Sequence, residues 1–321
     1  MITQVALGID IGGTNTVFGL IDENGNCLED GKISTKHFNT AELLVAAIAN
    51  EITYLLTKNS NFQLSGIGIG APNGNFLTGS VEYAPNLHWK GIVNLVDLFK
   101  LHFNVPAFVT NDANAAAIGE MTYGAAQQMD DFLLVTLGTG LGSGFVSNGE
   151  LIYGHDGFAG ELGHVIIDPN GRLCGCKRKG CLETYASATG IVNTALEMLK
   201  NNSSDSTLNQ LGENINSEAI ANAASTGDGL ALKVFDYTAE KLAFGLANAV
   251  PITSPKAIIL FGGLANSGEL LLKPLNRYFE KFLLKIYKGK VNIIVSELKD
   301  NQAAILGASS LVWNEIQKPY A

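Results

Sequence analysis

The 321-residue chain is 46% hydrophobic and 16% charged, with a net charge of −9. That is enough apolar material for one large or two moderate folded domains, and no long polar tract suggests disorder. The acidic balance argues against nucleic-acid binding, which needs clustered Lys and Arg on phosphate. The one basic cluster, Lys177-Arg178-Lys179, is short and reads as a solvated loop. The opening MITQVALGIDIGG has no basic n-region or cleavage site, and no apolar run of about 18 residues occurs, so neither export nor a membrane span is expected.

In chain order, Gln4–Asp10 is an apolar run closed by Gly12-Gly13-Thr14. A second run, Thr16–Ile21, ends in the turn Asn24-Gly25, and a third short run follows: strand, tight turn, strand, hairpin, strand. The spacing of Leu44, Ile48, Ile52 and Leu55 predicts a helix over Ala41–Lys58. Gly66–Gly70 is a strand ending in the turn Ala71-Pro72-Asn73-Gly74. Pro106–Thr110 is a short strand that runs through Asn111-Asp112 into an alanine-rich helix, Ala113–Tyr123.

The opening pattern then recurs. Phe132–Leu137 is apolar, Gly138-Thr139-Gly140-Leu141-Gly142 is the break, Ser143–Ser147 resumes the strand and Asn148-Gly149 is the turn. Over about fifteen positions the two segments align in pattern, Gly13 against Thr139 and Gly19 against Phe145, and read as a duplicated supersecondary unit; a chance pair of glycine-rich hairpins is the alternative. Asn201–Ser206 is a polar surface loop. Ala239–Val250 is helical, Lys256–Phe261 is a strand ending in Gly262-Gly263, and Gln302–Ile316 is helical. Alternating strands and helices imply an α/β fold with covered sheets.

Glycine turns after strands let the backbone approach an anion closely, so Gly12, Gly13 and Thr14 on one turn and Gly138, Thr139 and Gly140 on the other suit phosphate, and Gly262-Gly263 suits a base or ribose. Singly, each is also a plain tight turn. No Gly-Lys-Ser/Thr follows the first loop, and GTGLG leads into a strand, so neither a Walker A nor a Rossmann reading holds. Asp10 ends the first strand, where a carboxylate can hold Mg²⁺ beside phosphates or simply form the turn.

LGIDIGGTNTVFGLID, LGTGLGSG and LFGGLA, in that order, resemble the two phosphate segments and the adenosine segment of the actin-like ATPase superfamily. The resemblance implies two duplicated α/β domains with ATP in the cleft between them. It places a small N-terminal domain at 1–113 plus 302–321 and a large one at 114–301. It also assigns nucleotide contacts to Asp10, Gly12, Gly13, Thr14, Asn15, Gly138, Thr139, Gly140, Gly262 and Gly263.

Three of the four cysteines fall in GHVIIDPNGRLCGCKRKGCLE. Cys174, Cys176 and Cys181, with His164 ten residues ahead, make a Cys₃His set, the composition of a closed structural zinc site, and the crowding fits a reducing cytoplasm better than a disulfide framework. Cys27 stands alone and reads as a small buried hydrophobe.

AGELGH followed by this cysteine pattern resembles the ROK (repressor, open reading frame, kinase) family, with Lys177 where many members have glycine. Phosphoryl transfer needs a positioned acceptor, a base and cations on the phosphates. Locally, Asp112 reads as a base or as a helix N-cap; the resemblance of Asn111-Asp112-Ala113-Asn114 to the family's Asn-Asp-x-Asn segment implies the catalytic base. It also implies sugar contacts from Asn86, in Pro85-Asn86-Leu87-His88-Trp89, and from Gly74, Asn111, Asp112, Glu161, His164 and Glu183, with His164 sharing its two ring nitrogens between zinc and sugar. At the Gly74 turn this chain has Ala-Pro-Asn-Gly where many members have Ala-Pro-Gly.

The implied activity is transfer of the ATP γ-phosphate to the 6-hydroxyl of glucose by a cytoplasmic, homodimeric enzyme using ATP, Mg²⁺ and structural Zn²⁺, with no nucleic-acid or membrane partner. Kinases of N-acetylmannosamine, N-acetylglucosamine, fructose or allose are the alternatives. Repressors of the family carry a winged-helix domain before the first strand, and here that strand is expected within a few residues of Met1. A structural ATPase would need neither the cysteines nor the sugar residues.

Overall fold

The computed structural model of the chain describes residues 2–201, 205–298 and 300–318, so 202–204 of the polar surface loop expected at 201–206 lie outside the described residues, while Asn201 ends a helix and Ser206 is buried. Two compact units emerge. One comprises Met1–Gln128, Leu151–Ala159 and Glu297–Ala321; the other comprises Met129–Glu150 and Gly160–Ser296.

The first unit opens with β1 (Thr3–Ile11), β2 (Asn15–Ile21) and β3 (Cys27–Ser34), an antiparallel meander. Helix α1 (Ala41–Lys58) has the bounds its apolar spacing predicts, and the Thr40 side chain caps it by accepting from Leu43 N–H. It returns the chain to β4 (Phe62–Gly70), parallel to β1. A small antiparallel sheet of β5 (Gly74–Asn75), β6 (Ser80–Glu82) and β7 (Ile92–Asn94) is followed by α2 (Leu95–Lys100), β8 (Ala107–Thr110) and α3 (Asp112–Tyr123). The five-stranded sheet has the order β3-β2-β1-β4-β8, with β4 and β8 parallel. β1 is buried almost continuously, the signature of a strand covered on both faces, whereas edge strand β3 alternates between exposed and half-buried residues.

The second unit repeats the plan with β9 (Phe132–Leu137), β10 (Leu141–Ser147) and β11 (Glu150–Leu151). Helices α4 (Ala188–Asn201), α5 (Ser217–Ser225) and α6 (Gly229–Thr253) follow, then β12 (Ala257–Phe261), α7 (Glu269–Phe282) and β13 (Asn292–Val295). Its sheet order is β11-β10-β9-β12-β13, again with an antiparallel β9–β10 hairpin and parallel β9, β12 and β13. Gly13 and Thr139, aligned from the sequence, both sit in the turn between the first and second strands of their sheets. The duplication is therefore structural. β10 begins at Leu141, inside the expected glycine break, and α6 is about twice as long as the segment its sequence marked.

A final helix, α8 (Asp300–Ile316), packs in the first unit. It lies directly on backbone: a Cβ at Gly8 would overlap the Ile305 carbonyl and one at Gly68 the Ala308 carbonyl, while Gly307 of α8 meets Ala115 of α3 in the same way. On the opposite face of the sheet, β1, β4 and β8 bury Val5, Leu7, Ile9, Ile67, Ile69 and Val109 under Leu44, Ile48 and Ile52 of α1. In the second unit, Leu133, Val135, Ile258 and Leu260 of the sheet join one core with α4, α5, α6 and α7. Cys27 is half-buried, beside a cluster of Ile21, Ile305 and Leu306.

Candidate active site

The parallel register of the first sheet pairs Asp10 with Gly70, and Gly70 with Thr110. The carboxyl ends of three adjacent strands therefore lie side by side, where ligands gather in α/β sheets. Asp10 is the penultimate residue of one strand, one short of the expected end, Asp112 begins the helix after another, and Gly70 between them carries no side chain to separate them. Asp10 is partly buried. Desolvation, and then the nearby Asp112 charge, raise its carboxyl to about 7.

Asp112 is the first residue of α3 and not its cap. Asn111 caps the helix, its Oδ1 accepting from Asn114 N–H at 2.6 Å. Its amide nitrogen remains available to a ligand. Asp112 is open to water on one side, yet its carboxyl is raised. The thinning of bulk water by the surrounding protein is the leading cause, opposed by hydrogen bonds from the Ala113 N–H at 2.9 Å and from its own N–H. A raised carboxylate is a better proton acceptor than a free aspartate.

Asn86 is exposed on a loop pinned by buried Leu87 and Trp89 and closed by Lys90, whose Nζ donates to the Leu87 carbonyl at 2.7 Å. The Asn86 carbonyl lies so close to Gly13 that a Cβ there would collide, which packs the Asn86 loop onto the first glycine turn. Gly74 sits with equal closeness on the Thr110 carbonyl, beside Asn111. Three buried polar atoms around this region, Trp89 Nε1, Thr110 Oγ1 and Asn114 Oδ1, have no protein partner. Trp89 and Asn114 close the two quoted motifs and Thr110 precedes the second, and spacing alone gives no sign that these atoms are buried.

In the second unit the carboxyl ends of β9 and β12 carry the other glycine turns. Thr136 pairs with Phe261, so Gly138 and Gly263 extend side by side two residues beyond, and neither meets another atom within 4 Å of where a Cβ would be. Gly262 adopts φ +101, which favours glycine. A 660 Å³ pocket of this unit is lined by Ser267, Glu269, Leu270 and Lys273, which follow these glycines in the chain, and by Ser225 and Lys233.

The Cys₃His set is brought together as its spacing predicts: the ligand atoms of His164, Cys174, Cys176 and Cys181 all lie within 4.8 Å of one another. Cys176 Sγ is 3.6 Å from Cys181 Sγ, and Cys174 Sγ is 3.6 Å from His164 Nδ1. Ligands about 2.3 Å from a tetrahedral ion stand roughly 3.8 Å apart, so the cluster fits one metal. The loop closes through short bridges, Ile166 with Cys181 and Leu173 with Lys179. Gly180, at φ +77, lies where a Cβ would overlap the Asp168 carbonyl, so only glycine serves there. Desolvation and the Glu183 hydrogen bond raise the Cys174 thiol. Cys176 falls to about 6: desolvation opposes the drop, and hydrogen bonding to Arg178 drives it. A metal would draw the remaining thiols into the thiolate form.

His164 Nδ1 faces the cluster and lies 3.5 Å from Glu183 Oε1, while Nε2 turns to Glu161 Oε2 at 3.9 Å. Glu183 Oε1 is 2.9 Å from Cys174 Sγ, and its other oxygen lies over Gly140. The Cys₃His cluster, the carboxylates of Glu161 and Glu183 and the Gly138–Gly140 turn are thus one contiguous surface of this unit. Arg172, unremarked in the sequence, and Arg178, read there as part of a solvated basic loop, both hold this loop. Arg178 Nη2 donates to the His164 carbonyl at 2.9 Å.

Two α/β units of one strand order, with glycine turns at the strand ends, define the actin-like ATPase fold. The ROK family model matches residues 6–315, and the chain belongs to that family. It is 34% identical over 314 residues, covering 95% of this chain and 94% of the relative, to a glucokinase of Halalkalibacterium halodurans. It is 33% identical over 255 residues to a xylose repressor of Caldicellulosiruptor bescii, covering 78% of this chain and 63% of that protein. Among solved structures, a ROK family glucokinase from Streptomyces griseus in complex with glucose and AMPPNP superposes with a TM-score of 0.79 at 33% identity, covering 97% of this chain and 99% of that one.

Proposed function

We propose that this ATP-dependent sugar kinase transfers the γ-phosphate of ATP to the 6-hydroxyl of glucose. The observation that carries the chemistry is Asp112, a carboxylate of raised proton affinity at the start of α3 beside Asn111 and Gly74. Glucose is favoured by the near full-length likeness to relatives named as glucokinases. In this reading Asp112 removes the proton of the 6-hydroxyl as its oxygen bonds to the γ-phosphorus and the bond to ADP breaks. Asn86, Asn111, Glu161, Glu183 and His164 Nε2 pair with the other hydroxyls, each of which both donates and accepts.

Gly12, Gly13, Thr14 and Asn15 and the turn Gly138–Gly140 cradle phosphates with backbone N–H groups. Gly262 and Gly263 take the adenosine, with the pocket formed by Ser267, Leu270 and Lys273 as a candidate seat for the base. Asp10 fits Mg²⁺: it is a partly buried carboxyl beside the first glycine turn whose charged form burial and Asp112 disfavour until a cation binds, and such ions are held by one or two carboxylates plus phosphate oxygens. The ion, when bound, offsets phosphate charge. Zinc suits the Cys₃His set by donor chemistry and spacing, and its role there is to fix the His164 ring.

The test is ADP release with Mg·ATP against glucose, mannose, fructose, allose, N-acetylglucosamine and N-acetylmannosamine. Turnover with glucose well above the rest supports the proposal. Preference for an N-acetyl sugar overturns the substrate but keeps the chemistry. No sugar-dependent turnover overturns both and favours a binding role, as the repressor relative would suggest.

A further inference from the structure

Glu183, the carboxylate assigned above to a sugar hydroxyl, rides on a single 3₁₀ turn, Leu182–Thr184. A turn of that length does not hold its own shape. Upstream it is anchored by Cys181, a member of the metal cluster. Downstream it meets Arg172, a residue to which neither the motifs nor the proposed chemistry gives a role.

Arg172 is nearly enclosed, its side chain 11% exposed, and every face of its guanidinium is engaged. Nε and Nη2 form a fork on Glu197 of α4, at 2.9 and 2.6 Å. Nη2 also donates to Thr194 Oγ1 at 2.9 Å. Nη1 donates to the carbonyl of Thr184, the residue next to Glu183, at 2.6 Å and to that of Gly190 at 3.2 Å. The plane stacks on Tyr185, 4.5 Å from the ring centroid, and the Arg172 backbone N–H donates to the Tyr185 hydroxyl at 3.0 Å. One side chain thus ties the cysteine loop, the Glu183 turn and α4 together. A planar, permanently charged fork can do this and an ammonium cannot.

We infer that Arg172 is a positioning residue for sugar recognition: through the Thr184 carbonyl it fixes the turn that aims the Glu183 carboxylate, as a second brace independent of the metal. The inference rests on the reading of Glu183 as a sugar contact.

The test is steady-state kinetics with glucose, or the panel sugar giving most turnover, alongside metal content by elemental analysis. Arg172→Ala is expected to raise the KM for sugar roughly tenfold, the scale of a small misplacement of a contact group. The KM for ATP, kcat at saturating sugar and bound metal should stay within about twofold of the parent. Arg172→Lys should not rescue. Combined with Glu183→Gln, Arg172→Ala should add nothing to the sugar KM of Glu183→Gln alone, because it acts through that carboxylate. An unchanged sugar KM in Arg172→Ala, a fully additive double variant, or a joint loss of metal, kcat and both KM values overturns the inference. If Arg172→Ala does not fold, Glu197→Gln and Tyr185→Phe, which loosen the same clamp from its two other sides, give the same readout. A normal sugar KM in Glu183→Gln alone removes the sugar assignment and this inference with it; a raised one beside a normal Arg172→Ala removes this inference only.

Discussion

Asp112 carries the sharpest prediction at the scale of single residues. Asp112→Asn keeps the size and the contact with Ala113 N–H but cannot take a proton. It should lower kcat by about 10²–10⁴-fold while sugar affinity, measured by titration without ATP, stays near the parent value. Near-normal turnover would remove Asp112 from the base role. The two departures from the family pattern also find a local explanation. Asn73 stands at φ 53 and Lys177 at φ 72, both in the left-handed region where glycine is at ease. Asn73 secures its conformation by donating from Nδ2 to the Glu82 carbonyl at 2.9 Å. Lys177 is held by its N–H to the Cys174 carbonyl at 2.9 Å.

At the scale of elements, α8 and the Cys₃His loop depend on opposite devices. α8 approaches the sheet because Gly8 and Gly68 have no side chain in its path. Gly68→Ala should therefore cost about 1–3 kcal/mol, read as a lower denaturant midpoint at unchanged slope. An unchanged midpoint would mean the helix can shift freely. The cysteine loop has short bridges and little core of its own, so its shape should depend on the ion. Cys176→Ser should weaken metal retention and, through His164, sugar affinity by about 10–100-fold. Full metal content with normal sugar affinity would separate the ion from the sugar residues.

For the molecule as a whole, the raised acid pair makes one definite contribution to how stability responds to pH. Between about pH 4 and pH 7 the folded chain holds the Asp10 proton more tightly than the unfolded chain does, so stability falls as pH rises through that window and levels off above it. Asp112 acts in the same direction. Asp10→Asn should remove part of that fall. Thermal melts should show the variant gaining on the parent by roughly 1–3 kcal/mol from pH 4 to pH 8, allowing for solvent screening, with little difference at pH 4. A parent with no loss over this window would contradict the burial argument. Mg·ATP should reverse the trend, since a cation at Asp10 favours its charged form. Among the described residues no helix is long and apolar enough to cross a membrane.

Much of this was determined by the sequence alone, wherever a signal is local. The bounds of α1 follow from one apolar period, the strand-turn-strand repeats from glycine and alternating runs, and the Cys₃His set from crowding that chance does not produce. Tertiary structure decided what depends on distant partners. α4, α5 and α7 are held by packing around a shared core, and their periodicity had not set them apart from the loops around them. That Asn111, and not Asp112, caps α3 is a matter of side-chain geometry. The acidity of Asp10 comes from burial and from a neighbour 102 positions away in the chain. Nothing in the sequence marked Arg172, because its partners Thr184, Gly190, Thr194 and Glu197 become neighbours only when the cysteine loop folds back on α4.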